Sequence, residues 1–228
     1  MLFIAEIGMN HNGNLDLCNE LVRQAKWAGA DIAKFQLGWR ANPDEINHIT
    51  PEDLIKIEQI CKYYDIEYMA SIITEEGFEL SSHTNPNRYK IASRTVIDKP
   101  KLVKQILDLN KPTFLSLGMW EKDELPFNKY KNIEYLWCKS LYPTYPSDLT
   151  DLPKDFSGIE ITGYSDHSVG IEIALTAITR GATIIEKHFT LDKSDTTIRD
   201  HALSATPNEF RLMVNLGRNI HKNNLIGI

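Results

Sequence analysis

The stretch 164–192, YSDHSVGIEIALTAITRGATIIEKHFTLD, decides the fold. It holds two short apolar runs, one ending at Ser165-Asp166-His167 and the other at Glu186-Lys187-His188. Between them, apolar residues recur at helical spacing from about 169 to 180. Strand-length runs flanking a helical pattern predict a strand–helix–strand unit, the repeating element of a parallel sheet. Both histidines then stand at the C-terminal ends of neighbouring strands. Two imidazoles and a carboxylate converging there suit a divalent cation, and hence an enzyme.

The same alternation extends in both directions. Strands are predicted over 2–7, 31–36, 67–72, 88–93, 113–118, 134–140, 159–165 and 183–189. Helices are predicted over 14–28, 51–64, 75–81, 99–109, 169–180 and 207–221. Thr50-Pro51-Glu52-Asp53 and Thr206-Pro207-Asn208-Glu209 read as helix starts, and Gly29 and Gly181 as helix stops. The segments 120–131 and 143–158 are too short or too proline-interrupted for full helices. The expected fold is α/β, a compact (β/α)8 TIM barrel with reduced helices after strands five and six, occupying residues 1–228 as one domain. An open doubly wound sheet is the rival, but no GxGxxG follows the first strand.

Composition narrows the function. The net charge is −6 and there is no Lys/Arg run, so no nucleic-acid surface is expected. An acidic chain still binds an anion where a few cations are focused in one cleft. Three cysteines (Cys18, Cys61 and Cys138) without CxxC spacing argue against a disulfide framework and suit a reducing cytoplasm. MLFIAEIG is a strand-length run without a basic start, and no stretch approaches the ~20 apolar residues of a membrane span. A cytoplasmic location with no membrane partner is expected.

Strand alternation sorts the side chains. The outer face of a barrel strand packs beneath helices and must be apolar, so Phe3, Ala5 and Ile7 point outward and Glu6 inward. The same reasoning turns Lys34, Gln36, Lys90, Cys138, Ser140, Ser165, His167, Glu186 and His188 inward, with Ser93 at the turn after strand four and Tyr142 just beyond strand six. Nearly every polar strand residue thus falls near a C-terminal strand end, where barrel active sites lie.

Each candidate has a plainer reading beside it. His167 or His188 alone would be a hydrogen-bonded core or rim histidine; the pair with Glu186 points to a cation, with Asp200 as a further oxygen ligand or a sugar-hydroxyl contact. Ser165-Asp166-His167 names a hydrolytic triad, but neighbouring strand residues face opposite ways and cannot form its relay. Lys34 and Lys90 either pair with Glu6 and other inner carboxylates or, with Ser71, Ser93, Ser116 and Ser165, bind phosphate and carboxylate groups. A lysine here could instead form a Schiff base, with Lys90 or Lys139 as candidate, although alternation turns Lys139 outward. His11, His48 and His83 are expected on surface loops, His201 is undecided, and Trp120 is expected to pack.

FIAEIGMNHNGNLDLCNELVRQAKWAGADIAKFQ at the start, YKIAS at 89–93, LSLGM at 115–119, LYPT at 141–144, SDHSVG at 165–170, GATIIEKHFTLD at 181–192 and RDHALS at 199–204 carry a resemblance. From about residue 2 to about residue 220 the chain resembles the sialic acid (N-acetylneuraminate) synthase family. The resemblance implies a (β/α)8 barrel that condenses phosphoenolpyruvate with an aldose, N-acetylmannosamine or a related amino sugar, to a sialic-acid-like 2-keto-3-deoxy sugar acid plus phosphate. It implies Mn2+, or Mg2+ or Co2+, on His167 and His188. It places phosphoenolpyruvate on Lys34, Lys90, Ser71, Ser93, Ser116 and Ser165, with Glu6 and Glu186 handling water and protons. Gln36, Tyr142 and Asp200 would face the sugar, and Ser140 is expected among the substrate-binding residues.

The chain departs from that family at four places. Thr95 stands where an acidic residue is usual, and Ser140 where Asn is frequent. The usual antifreeze-like C-terminal domain does not follow the eighth helix, and the loop 38–48 is short. A homodimer, or a separate antifreeze-like partner protein completing a split enzyme, is therefore expected as an option, beside a Schiff-base aldolase or a non-catalytic barrel.

Overall fold

All eight predicted strands form in the computed structural model, which describes residues 1–39, 42–46 and 48–225. Arg40, Ala41 and Asn47 of the short loop after the second strand lie outside the described residues. The strands are β1 (Leu2–Gly8), β2 (Ile32–Leu37), β3 (Glu67–Ile72), β4 (Tyr89–Ile91), β5 (Thr113–Ser116), β6 (Ile133–Cys138), β7 (Ile161–Asp166) and β8 (Ile184–His188). They pair in sequence order, all parallel, and β8 returns to β1 to close the barrel. The helices are α1 (Leu15–Trp27), α2 (Pro51–Tyr63), α3 (Glu75–Ser81), α4 (Ser93–Asp98), α5 (Pro100–Asp108), α6 (Glu172–Thr179) and α7 (Pro207–Leu225). After β5 the described residues form turns, and after β6 only a short 3-10 turn at Pro146–Asp148, so the connections expected to be reduced are reduced. No helix among the described residues is long and apolar enough to cross a membrane.

Local chemistry explains the helix ends. The Asn14 side chain accepts hydrogen bonds from the Asp16 and Leu17 amides, and Thr50 with Asp53 forms a reciprocal capping box. Thr206 and Glu209 exchange the same kind of bonds at the start of α7. Gly29 and Gly181 follow α1 and α6 with φ of +88° and +96°, as expected of helix stops. One difference is in β4, which is only three residues long: Ser93 opens the unpredicted helix α4 instead of ending a strand.

The core has two parts. Between barrel and helices lies a large apolar layer that includes Phe3, Phe35, Tyr164, Ile185 and Phe210. Inside the lower barrel lies a smaller one made of Ile4, Ile32, Met69, Phe114, Leu136 and Ile184. One strand period above each of these residues comes a polar group: Glu6, Lys34, Ser71, Ser116, Cys138 and Glu186. The lower layer thus forms the floor of a polar upper lumen. Gly163 belongs to the floor, because a Cβ there would sit 2.5 Å from Leu136 Cδ2 and 2.6 Å from the Ile184 carbonyl oxygen.

His11 corrects one expectation. It is buried, not on the surface, beside Phe35 at a ring separation of 6.3 Å, and its Nδ1 accepts the Gly13 amide at 3.2 Å. Burial holds it neutral, down at about 4. His201, undecided from sequence, is also buried and bonded to Thr190 Oγ1 at 2.6 Å.

Two stability predictions follow from this packing. Gly163→Ala overpacks the floor and is expected to cost about 1–3 kcal/mol in urea unfolding; an unchanged midpoint would contradict it. The folded chain binds fewer protons at His11 than the unfolded chain does, so stability falls as pH drops from 6.5 toward 4. His11→Asn keeps an acceptor for Gly13 and should remove up to about 3 kcal/mol of that acid dependence; unfolding curves at pH 4 and 7 provide the check.

Candidate active site

Strand register assembles the upper lumen. Glu6 pairs with Lys34 across β1 and β2, and Gln36, Ser71 and Lys90 lie level across β2, β3 and β4. Cys138, Ser165 and Glu186 lie level across β6, β7 and β8, while Glu6 closes the ring against His188. These side chains line a cavity of about 660 Å³ at the C-terminal end of the barrel.

Four charges share its depth. Lys34 Nζ lies 3.0 Å from both Glu6 Oε2 and Glu186 Oε2, and Lys90 Nζ lies 3.4 Å from Glu186 Oε1. All four are buried. For Glu6, burial outweighs the Lys34 charge and raises the carboxyl above its ordinary range. Burial also pushes Glu186 upward, but Lys34, Lys90 and the Ser165 hydroxyl outweigh it and hold Glu186 well below the usual carboxylate range. Lys34 loses proton affinity to burial and more than regains it from Glu186 and Glu6. Burial prevails at Lys90, which is lowered. The two carboxyls are therefore driven apart, the arrangement that separates a proton donor from a proton acceptor.

The two histidines stand above this set with ring centroids 5.6 Å apart, and Tyr142 stacks on His167 at 4.2 Å. His167 Nδ1 lies 2.7 Å from the Lys139 carbonyl, which can only accept. That nitrogen therefore carries the proton and Nε2 keeps its lone pair. Burial lowers both imidazoles, His167 to about 4, so each is neutral and able to ligate. His188 Nδ1 has no hydrogen-bond partner among the described residues and lies 3.9 Å from Asp200 Oδ2. Among the described residues no three His, Cys, Asp or Glu side chains converge as a closed cation cage. The donor set is that of an open site, in which two neutral imidazoles would be able to hold a divalent cation.

Of the predicted substrate contacts, Gln36, Ser71, Ser93, Ser116, Ser140, Tyr142 and Ser165 all line the cavity. Several are already engaged. Gln36 Nε2 donates to Glu6 Oε1 at 2.6 Å, and Ser165 Oγ donates to Glu186 Oε1 at 2.6 Å. Ser93 Oγ accepts the Gly118 amide at 2.9 Å and touches Cys138 Sγ at 3.2 Å. Ser116 Oγ, in contrast, is buried without a partner among the described residues. Asp200 stands beside His188 and is not among the lining residues. Lys139 lines the cavity, but its Nζ is tied to Asp151 at 2.7 Å. Thr95 is buried and lines the cavity.

Sequence reasoning missed Trp39, Arg94 and Arg199 at the rim. The Arg199 guanidinium lies over the Tyr142 ring at 4.8 Å. All three sit in loops or helix starts, beyond the reach of strand parity. Arg94 and Arg199 do adjoin Ser93 and Asp200, which gave the available signal. Trp120 hydrogen-bonds to the Glu124 carbonyl at 2.9 Å and is not among the lining residues, as expected.

The NeuB family model matches residues 44–225. The chain is 32% identical to N,N'-diacetyllegionaminic acid synthase of Campylobacter jejuni, over 97% of this chain and 76% of that protein. It is 31% identical to human N-acetylneuraminate-9-phosphate synthase, over 92% of this chain and 67% of that protein. Its fold superposes on the crystal structure of N-acetylneuraminic acid (sialic acid) synthetase from Leptospira borgpetersenii serovar Hardjo-bovis in complex with citrate. That match has a TM-score of 0.88 and 29% identity, and covers 100% of this chain and 85% of that one. With its barrel, its inward lysines and carboxylates and its paired histidines, the chain belongs to the NeuB family and is an enzyme of the transferase-type synthase class.

Proposed function

We propose that the barrel mouth joins phosphoenolpyruvate to an aldose, N-acetylmannosamine or a related amino sugar, giving a sialic-acid-like 2-keto-3-deoxy sugar acid and phosphate. The observation that carries this reading is the neutral imidazole pair directly above two buried lysines and two carboxyls with opposed proton affinities. The products named for the two synthase relatives, N,N'-diacetyllegionaminic acid and N-acetylneuraminate 9-phosphate, support an amino-sugar acceptor.

In this reaction C3 of phosphoenolpyruvate bonds to the aldehyde carbon, water adds at C2, and the bond from C2 to the phosphate oxygen breaks. Lys34 and Lys90 neutralise the phosphate and carboxylate of the enol, and Ser116 Oγ is available to them as a hydrogen-bond partner. Glu6, the more readily protonated carboxyl, supplies the proton to the new hydroxyl oxygen. Glu186, held ionised by its lysines and oriented by Ser165, takes a proton from the attacking water. His167 and His188 would hold the divalent cation, Mn2+ as first choice, with Mg2+ or Co2+ as alternatives. When bound it would polarise the aldehyde oxygen.

A second reading has one observation in its favour. Burial lowers the Lys90 ammonium, which favours the free amine that a Schiff base requires. It gives the two histidines no task.

With Mn2+, the protein is expected to release phosphate from phosphoenolpyruvate only when a suitable aldose is present. Lys90→Met should lower kcat/KM by about 100-fold or more, as loss of a cation aimed at developing charge does. Lys139→Met should leave it nearly unchanged. Release without sugar, or none across a broad sugar panel, would contradict the reading. Borohydride reduction with pyruvate should leave the protein mass unaltered; an adduct on Lys90 would favour the Schiff base instead.

A further inference from the structure

A second buried ion pair lies outside the lumen, one residue before each histidine. Asp166 and Lys187 are fully buried and face each other in register across β7 and β8, with Nζ 2.9 Å from Oδ2. Asp166 Oδ1 also accepts the Tyr164 hydroxyl at 3.0 Å, the Ser168 amide at 2.8 Å and the Ser168 hydroxyl at 2.6 Å. Lys187 Nζ makes a second bond to the Ser168 carbonyl.

Stability alone does not call for this pair. A buried ion pair is often no better than packed apolar side chains of the same volume. The neighbouring outward residues on these strands, Tyr164, Ile185 and Phe189, are apolar core. Position explains more. The β7–β8 ladder ends at Asp166 and Lys187, so no backbone pairing joins the strands at the next step. That next step is His167 on one strand and His188 on the other. His167 lies between Asp166 and Ser168, both of which are bonded to Lys187. The ion pair thus sits at the last paired step before the two imidazoles.

We propose that Asp166 and Lys187 are positioning residues that set the separation and direction of the His167 and His188 rings for a divalent cation. The inference rests on the two-histidine reading above. It gives the outer face of the barrel a part in the site: the lumen supplies the ligands, and the pair behind them holds their spacing.

The test is the double substitution Asp166→Asn with Lys187→Met. It is neutral and close in volume, and it keeps an acceptor for Ser168 and Tyr164. Mn2+ binding is measured by electron paramagnetic resonance, with a thermal melt and phosphoenolpyruvate binding alongside. The variant should fold, and its Mn2+ Kd should rise about 10- to 100-fold, as supporting residues of metal ligands typically show. Its phosphoenolpyruvate Kd, governed by the separate lysine set, should change by no more than about threefold. A folded variant whose Mn2+ affinity matches the parent overturns the proposal, and so does an equal weakening for both ligands. If the double variant does not fold, Tyr164→Phe removes one bond to Asp166 without disturbing charge; its Mn2+ affinity should fall, and no change overturns the proposal. If the parent binds no Mn2+, the cation reading fails on its own. The crystal structure of the variant then decides: a ring separation still at 5.6 Å overturns the positioning role, and a displaced pair upholds it.

Discussion

Four buried ionisable groups, Glu6, Lys34, Lys90 and Glu186, form the constraint on which the rest of the structure depends. Isolated charges in a barrel interior would be prohibitively desolvated. They are tolerable as a set because Lys34 lies 3.0 Å from both carboxylates and Lys90 lies 3.4 Å from one of them. The set also needs a dry floor and a closed wall. The apolar layer of Ile4, Ile32, Met69, Phe114, Leu136 and Ile184 supplies the first, and the β8–β1 pairing supplies the second. Removing one partner leaves a buried charge alone, a loss on the order of 3–5 kcal/mol. Fold and site are therefore one problem: the barrel must close for the charges to meet, and the charges must meet for the upper lumen to be stable.

The same crowding creates chemical asymmetry. Glu6 and Glu186 share Lys34, yet only Glu186 also has Lys90 and the Ser165 hydroxyl. That difference sends one carboxyl up and the other down. Directly above, burial keeps both imidazoles neutral. The cavity of a protein with net charge −6 thus gathers two lysines and two neutral imidazoles in one place.

Much of this was legible because strands have a period of two. Knowing that outer faces must be apolar was enough to turn Glu6, Lys34, Lys90, Ser165, Glu186 and the histidines toward one lumen, and all of them line it. The reduced connections after β5 and β6 were legible from proline and shortness. What escaped lay where periodicity says nothing. Arg94 and Arg199 sit at the rim, and α4 begins at Ser93, where a longer strand was expected. His11 was assigned to the surface because it lies in a predicted loop, but its ring packs beside Phe35. By strand parity Lys187, between Glu186 and His188, faces outward. Its burial against Asp166 could not be read from one strand, because the partner lies 21 residues away on another.

The most direct measurement is a crystal structure with Mn2+ and phosphoenolpyruvate, using the anomalous signal of the metal. The account predicts one Mn2+ on His167 and His188, and the enol phosphate and carboxylate held by Lys34 and Lys90 with Ser116 within reach. An anion seated away from those lysines, or a metal that avoids the two histidines, would contradict it.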